Sequence, residues 1–142
     1  MVWRIRIKDR ALEWLFATYT LLFGLWLAGG WEALNPVSLA LLLSYVGEGW
    51  WAWAFSVIGA AHVLALIING ARWWTPFVRA AAASLNFVSY GFLVVGIAAS
   101  APGSSAVLTY GYLVLCGFAV IIFRAMKDSF GLIKRRRPLH DA

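Results

Sequence analysis

The chain has 142 residues, of which 63% are hydrophobic and 13% charged, and its formal net charge is +6. Soluble domains carry about 25% charged residues, so the composition excludes an ordinary soluble fold and predicts a membrane protein. All Lys and Arg residues lie in three clusters that flank apolar stretches: Arg4–Arg10, Arg72–Arg79 and Arg124–Arg137. Orientation in a bilayer explains these clusters, so no nucleic-acid partner is expected.

Four segments reach the length of about 20 mostly apolar residues that a transmembrane helix needs. They predict an all-α fold, an integral membrane bundle of four transmembrane helices in a single domain: residues 11–28, 50–68, 76–99 and 107–123. The first span ends at Gly29-Gly30 and is expected to remain as an anchor, because no small-x-small cleavage site leads into polar sequence. The fourth is expected to run on as a helix towards Phe130, within a basic cytoplasmic tail at 124–142.

The connection between spans one and two is predicted to hold a short interfacial helix, at about residues 38–46. A turn signal at Asn35-Pro36 precedes the apolar run Leu39–Val46. Eight residues rise only about 12 Å as a helix, which is too short to cross a bilayer. A re-entrant segment is the alternative.

The distribution of Lys and Arg predicts the orientation. The Lys and Arg residues lie in the N-terminal arm, in the loop between spans two and three with Arg79 just inside span three, and in the C-terminal tail, whereas the other two loops hold none. Loops rich in Lys and Arg stay in the cytoplasm. An even number of spans places both termini on one side, so both termini are predicted to be cytoplasmic. The most concentrated basic segment of the tail is Lys134, Arg135, Arg136 and Arg137.

Tryptophan is abundant at the predicted span ends, where indole rings favour the headgroup region. Six residues are expected to be membrane-interface anchors: Trp14, Trp31, Trp50, Trp51, Trp73 and Trp74. A lipid- or pigment-facing aromatic surface is the alternative interpretation.

Two polar residues lie deep within the predicted spans, His62 in span two and Asn86 in span three. A short loop makes these spans antiparallel neighbours, and the two residues fall at similar depth at 1.5 Å per residue. We therefore predict an intramembrane hydrogen bond between them that stabilises helix association. The functional alternatives are a polar pore or proton path, or ligation of a haem or chlorin by His62.

Two charged residues lie near the ends of predicted spans. Glu13 is expected to be an interfacial partner of Arg10. Arg79 follows Pro76 by three residues, and it is expected to extend its aliphatic stem towards the interface.

The remaining signals point away from catalysis. Cys116 lies in an apolar run and is interpreted as a small packing residue, while Ala80 and Ser84 suggest close helix packing within the chain or between copies. The sequence contains no CxxC, HExxH, GxSxG or P-loop motif. We therefore predict no enzyme activity, no metal site and no cofactor.

The middle of the chain, residues 47–96, resembles small multi-span membrane proteins of tailed bacteriophages that are grouped with holins. The residues that carry the resemblance are Gly47-Glu48-Gly49-Trp50, Ala65-Leu66-x-x-Asn69-Gly70, Arg72-Trp73-Trp74 and Thr75-Pro76-x-x-Arg79-Ala80.

The resemblance implies a protein of the bacterial inner membrane that oligomerises laterally and opens lesions during phage lysis. Its partners would be the lipid bilayer and further copies of the chain. An alternative expectation is a non-catalytic accessory subunit or assembly factor of a larger membrane complex, for example a photosynthetic or respiratory one. A small carrier, sensor or immunity-type membrane protein is a third.

Overall fold

The computed structural model describes residues 10–29, 43–68, 74–101 and 103–136. All regular structure in these ranges is helical, which confirms the all-α prediction. The elements are α1 (Ala11–Ala28), α2 (Glu48–Ile67), α3 (Thr75–Ser100), α4 (Ser105–Leu108), a π-helical segment (Thr109–Val114) and α5 (Leu115–Arg136). The last three follow one another without a break, and residues 105–131 of them are called span four below. The four helices that are long and apolar enough to cross a membrane are α1, α2, α3 and span four. The chain is therefore a multi-pass membrane protein.

The predicted boundaries agree closely with the helices. Helix α1 matches residues 11–28, and α2 and α3 differ from prediction by one or two residues at each end. Helix α5 continues to Arg136, so residues 124–136 of the predicted tail are an extension of the last helix. Residues 43–45 of the predicted interfacial helix form a helical turn, and residues 38–42 lie outside the described residues.

Local sequence signals explain where α3 and α4 begin. Pro76 lies in the first turn of α3, where its missing N–H removes no helical hydrogen bond. Ser104 caps α4, and its hydroxyl accepts a hydrogen bond from the Ala106 N–H at 3.3 Å.

Glycines bring α1 and α2 into backbone contact. Gly24 lies against the backbone of Phe55 and Ser56. An added Cβ at Gly59 would lie only 2.6 Å from Leu21 Cα. Close backbone approach of this kind favours helix association in lipid. Helix α3 packs against α2 on one side and α5 on the other. Helix α1 meets span four through side chains, with the Phe16 ring against Gly117.

Aromatic rings fill the middle of the bundle. Tyr90 of α3 is fully buried, with its ring centroid 5.0 Å from that of Phe55 and 5.6 Å from that of Phe118. Phe16 of α1 meets Phe118 edge-on at 5.1 Å, an arrangement that aromatic pairs favour. The outer faces carry large exposed apolar side chains, as expected for contact with lipid: Leu15, Leu22, Val57, Leu85, Phe92 and Phe123.

Candidate functional site

A buried ion pair joins α1 to α3 near one end of the bundle. Arg79 Nε donates to Glu13 Oε2 at 2.8 Å, and Arg79 Nη2 donates to Glu13 Oε1 at 2.6 Å. The side chains are 0% and 2% exposed. This two-point arrangement matches the planar guanidinium to the planar carboxylate, which makes it among the strongest of protein hydrogen-bond pairs.

Asp128 of α5 extends the ion pair to a third helix. Its Oδ2 accepts from Arg79 Nη1 at 3.3 Å and from Arg10 Nη2 at 3.2 Å. Arg10 precedes α1, so both terminal segments of the described chain meet at this end. We call Arg10, Glu13, Arg79 and Asp128 the charge cluster, and the end of the bundle that holds them the charged end.

The prediction that the Glu13 and Arg79 side chains lie at the membrane interface was wrong. Glu13 binds the guanidinium of Arg79 in the core and is not an interfacial residue, and Arg79 does not extend to the interface. The physical reason is that each residue lies on the inward face of its helix, one turn from an end at the same side of the bundle. An unpaired charge there would be costly, and a partner at the same depth offsets that cost.

The predicted contact between His62 and Asn86 is present. Asn86 Nδ2 lies 3.5 Å from His62 Nδ1, and both side chains are fully buried between α2 and α3. The amide N–H₂ can donate to Nδ1 only in the imidazole tautomer that carries its proton on Nε2. The contact joins the two helices two turns deeper along α3 than Arg79.

Further polar atoms in the core have no hydrogen-bond partner among the described residues. They are Trp51 Nε1, His62 Nε2, Asn86 Oδ1 and the Tyr90 hydroxyl oxygen. Asn86 and Tyr90 continue the inward face of α3 that begins with Arg79, so polar groups follow one another from the charged end towards the aromatic core.

The side chains predicted as interface anchors occupy different environments. Trp50 is 68% exposed and forms an edge-on pair with Trp53, and Trp74 is 36% exposed. Trp51 requires a correction: it is only 9% exposed and packs on Phe55 with ring centroids 6.0 Å apart. It shares the buried face of α2, so it points into the bundle. The other described anchor is the half-buried Trp14, while Trp31 and Trp73 lie outside the described residues.

The basic segment predicted in the tail is partly helical. The backbone of residues 134–136 belongs to α5, whereas Arg137 lies outside the described residues. Within the described part of the chain, no group of three or more His, Cys, Asp or Glu side chains could hold a metal ion.

An apolar groove separates α1 from span four. The groove is partly open and has a volume of about 240 Å³, larger than an engineered apolar cavity of about 150 Å³ that binds benzene. One wall is the π-helical segment, and π-helical turns are rare and frequently occur at functional sites. The lining residues are Leu15, Phe16, Tyr19, Thr109, Leu113 and Val114.

Comparison of the chain with protein-family models, with curated proteins and with solved structures gives no match.

Proposed function

We propose that this chain is a non-catalytic protein of the bacterial inner membrane, with both termini in the cytoplasm, that associates with further copies of itself and acts as a holin-like pore former. The uneven packing of the spans is the observation that supports self-association. Helices α1 and α2 meet through Gly24 and Gly59 without free space, whereas α1 and span four leave the apolar groove.

A second copy of the chain is the proposed occupant of the groove. The rims are apolar and face outwards, with Leu15 64% and Leu113 68% exposed. Lipid tails are as apolar as these side chains, so helices associate in a bilayer chiefly through close packing. Phe16 of α1 already packs on Gly117 and Phe118 of span four, and a helix that fills the groove would add van der Waals contacts along the rest of it.

Pore formation requires polar groups to meet water. In the single chain these polar side chains offer no polar surface to lipid, because all four are buried: Glu13, His62, Arg79 and Asn86. We propose that association at the groove separates α1 from span four and exposes the Glu13–Arg79 pair, which also contacts Asp128 of α5, to a water-filled lumen. The ion pair of Arg10 with Asp128 joins the same two segments at the charged end, so it would act as a latch that opposes opening.

The single cysteine allows a direct test of self-association. Cys116 is exposed on span four, about one turn beyond Leu113 of the groove. Oxidation of membranes that contain the protein should produce a disulfide-linked dimer. The matched control carries Cys116→Ser with Val57→Cys, since Val57 is 45% exposed on α2, a helix that does not line the groove. Equal dimer yields from both proteins, or none from either, would contradict association on the groove side.

The pore function is tested in cells. Induced expression should collapse the membrane potential abruptly after a delay, as an oligomeric lesion forms above a threshold density. Asp128→Asn removes the latch and should shorten that delay. If cells remain energised while the protein accumulates to high levels, a pore function is refuted.

A non-catalytic accessory subunit or assembly factor is the second candidate. The exposed Trp50–Trp53 pair favours it, because aromatic side chains are enriched at protein interfaces. Purification from the native host in mild detergent should then recover a different protein in fixed stoichiometry. In that case Cys116 should not link two copies of the chain, and expression should leave the membrane potential unchanged.

A further inference from the structure

Two cations on the outer face of α5 have no acidic partner in the part of the chain that the structure describes. Arg124 and Lys127 are exposed, and neither side chain forms a hydrogen bond or an ion pair there. Arg79, by contrast, faces inwards from α3 and binds the carboxylates of Glu13 and Asp128. A cation beside hydrocarbon is costly without a counter-ion, so a negative group from outside the chain is expected next to the outer pair.

The charge cluster sets the depth of Arg124 and Lys127 in the bilayer. Asp128 binds Arg10, the residue before α1. Helix α1 has 18 residues, which rise about 27 Å and nearly match the hydrocarbon thickness of about 30 Å. The level of Asp128 therefore marks the edge of the hydrocarbon layer at the charged end. Lys127 lies at this edge and Arg124 about one turn inside it, where a long side chain can extend to the lipid phosphates.

The surroundings of the two cations are apolar and face outwards. Residues three or four apart share a helix face, so Phe123 and Phe130 lie on either side of Lys127, and their side chains are 72% and 63% exposed. Ile133, three residues beyond Phe130, is 45% exposed. Phe130 and Ile133 lie past the edge of the hydrocarbon, at the level of the headgroups. Basic side chains interleaved with exposed apolar ones are typical of a helix that lies against lipid headgroups.

The spacing of the two cations suits one phosphate group. Arg124 and Lys127 are three residues apart, about 4.5 Å along the axis and about 5–6 Å between Cβ atoms. A guanidinium can donate two parallel hydrogen bonds to phosphate oxygens, and the ammonium adds a point charge. A zwitterionic headgroup carries its own cation, which this pair repels, whereas an anionic headgroup does not. The carboxylates of the charge cluster already bind its own arginines, so they do not offset the pair.

We propose that Arg124 and Lys127 bind the headgroup of an anionic phospholipid in the leaflet at the charged end. Its acyl chains lie along the exposed face of span four that runs from the two cations into the bilayer. That face carries Phe123, the 44% exposed Val120 and the exposed Cys116. The bound lipid holds α5 at a fixed depth. This inference does not depend on the pore function.

Cys116 provides a reporter for this lipid, because it is the only cysteine of the chain. It is eight residues from Arg124, about 12 Å along α5, and so lies beside acyl chains of the same leaflet. We expect a fluorophore on Cys116, with one full chain per nanodisc, to be quenched more strongly by brominated phosphatidylglycerol than by brominated phosphatidylcholine. Arg124→Gln with Lys127→Gln should lower the relative affinity for the anionic lipid about 25-fold, since each charge contributes about fivefold.

Two control proteins test the position of the lipid. Cys116→Ser with Val57→Cys moves the fluorophore to a 45% exposed position on α2 and should show no preference between the two lipids. Arg135→Gln with Arg136→Gln removes the same charge from the last turn of α5 and should leave the preference at Cys116 unchanged.

Three results would overturn the proposal. Equal quenching of the wild-type protein by the two lipids would show that no anionic lipid is selected, and this comparison requires no variant to fold. The same preference at Val57→Cys would show a lipid shell without a defined position. Equal losses from the two double replacements would show a diffuse attraction between the basic segment and the membrane surface.

One chain per nanodisc prevents self-association, so the outcome is separate from that of the pore experiments.

Discussion

Replacement of Arg79 by methionine is the sharpest perturbation of the charge cluster. Arg79→Met keeps an apolar stem of similar length but removes the cation, so Glu13 is left buried without its two hydrogen bonds. The two side chains are 0% and 2% exposed, so water does not replace the lost partner. Removal of one member of a buried ion pair costs about 3–5 kcal/mol, which corresponds to about two to four powers of ten in the folding equilibrium constant.

A double-mutant cycle separates the ion pair from simple packing. Glu13→Leu alone should destabilise the bundle to a similar extent, since it leaves the guanidinium short of acceptors. Glu13→Leu with Arg79→Met should recover most of the loss, because well-packed apolar replacements of buried ion pairs are often neutral or stabilising. Reversible unfolding in mixed micelles with increasing dodecyl sulfate measures these differences in free energy of unfolding.

Arg124 provides the control for a lost positive charge. It is exposed on α5, so Arg124→Met should change the free energy of unfolding by less than about 1 kcal/mol. A loss of less than about 1 kcal/mol for Arg79→Met, or simple addition of the Glu13 and Arg79 losses in the double variant, would show that the buried ion pair does not stabilise the bundle.

Three further predictions concern other parts of the bundle. Gly59→Ala should cost about 1–3 kcal/mol of unfolding free energy by forcing α1 and α2 apart, whereas Gly91→Ala, with nothing within 4 Å of its added Cβ, should cost nothing; thermal unfolding of both in nanodiscs checks the contrast. Asn86→Leu should destabilise the α2–α3 pair by about 0.6–2 kcal/mol through loss of the contact with His62, and an unchanged unfolding free energy would show that the contact contributes nothing. Asp128→Asn should cost less than Arg79→Met in the same assay, since its side chain is 42% exposed and exposed pairs contribute about 0–1 kcal/mol; an equal loss would show that the outer pair matters as much as the buried one.

Span positions could be predicted from the sequence because lipid imposes a length and an apolar composition on each crossing helix. The contact of His62 with Asn86 could be predicted for a related reason: a short loop fixes neighbouring antiparallel helices, and depth then follows from the helical rise. The same depth arithmetic would have paired Glu13 with Arg79, since both lie about one turn inside spans that start at the same side. This pairing was not predicted because charged side chains near a span end were assumed to reach the membrane interface.

The direction in which a side chain faces was harder to predict than its depth. Trp51 lies at a span end, as the abundance of tryptophan there indicated, yet it shares the inward face of α2 with Phe55 and His62. Which face is inward depends on how α2 packs against α1 through Gly24 and Gly59. That register is a property of the assembled bundle, and local composition does not encode it. The groove beside the π-helical segment could not be predicted for the same reason, because it depends on how α1 and span four pack against each other.

Ion leakage from reconstituted vesicles, measured as a function of the number of chains per vesicle, tests the proposed self-associating pore most directly. Leakage should be almost absent at low density and should rise more steeply than linearly above a threshold density. Asp128→Asn should move the threshold to lower density. Leakage proportional to the number of chains would indicate a path through single copies, and no leakage at any density would contradict pore formation altogether.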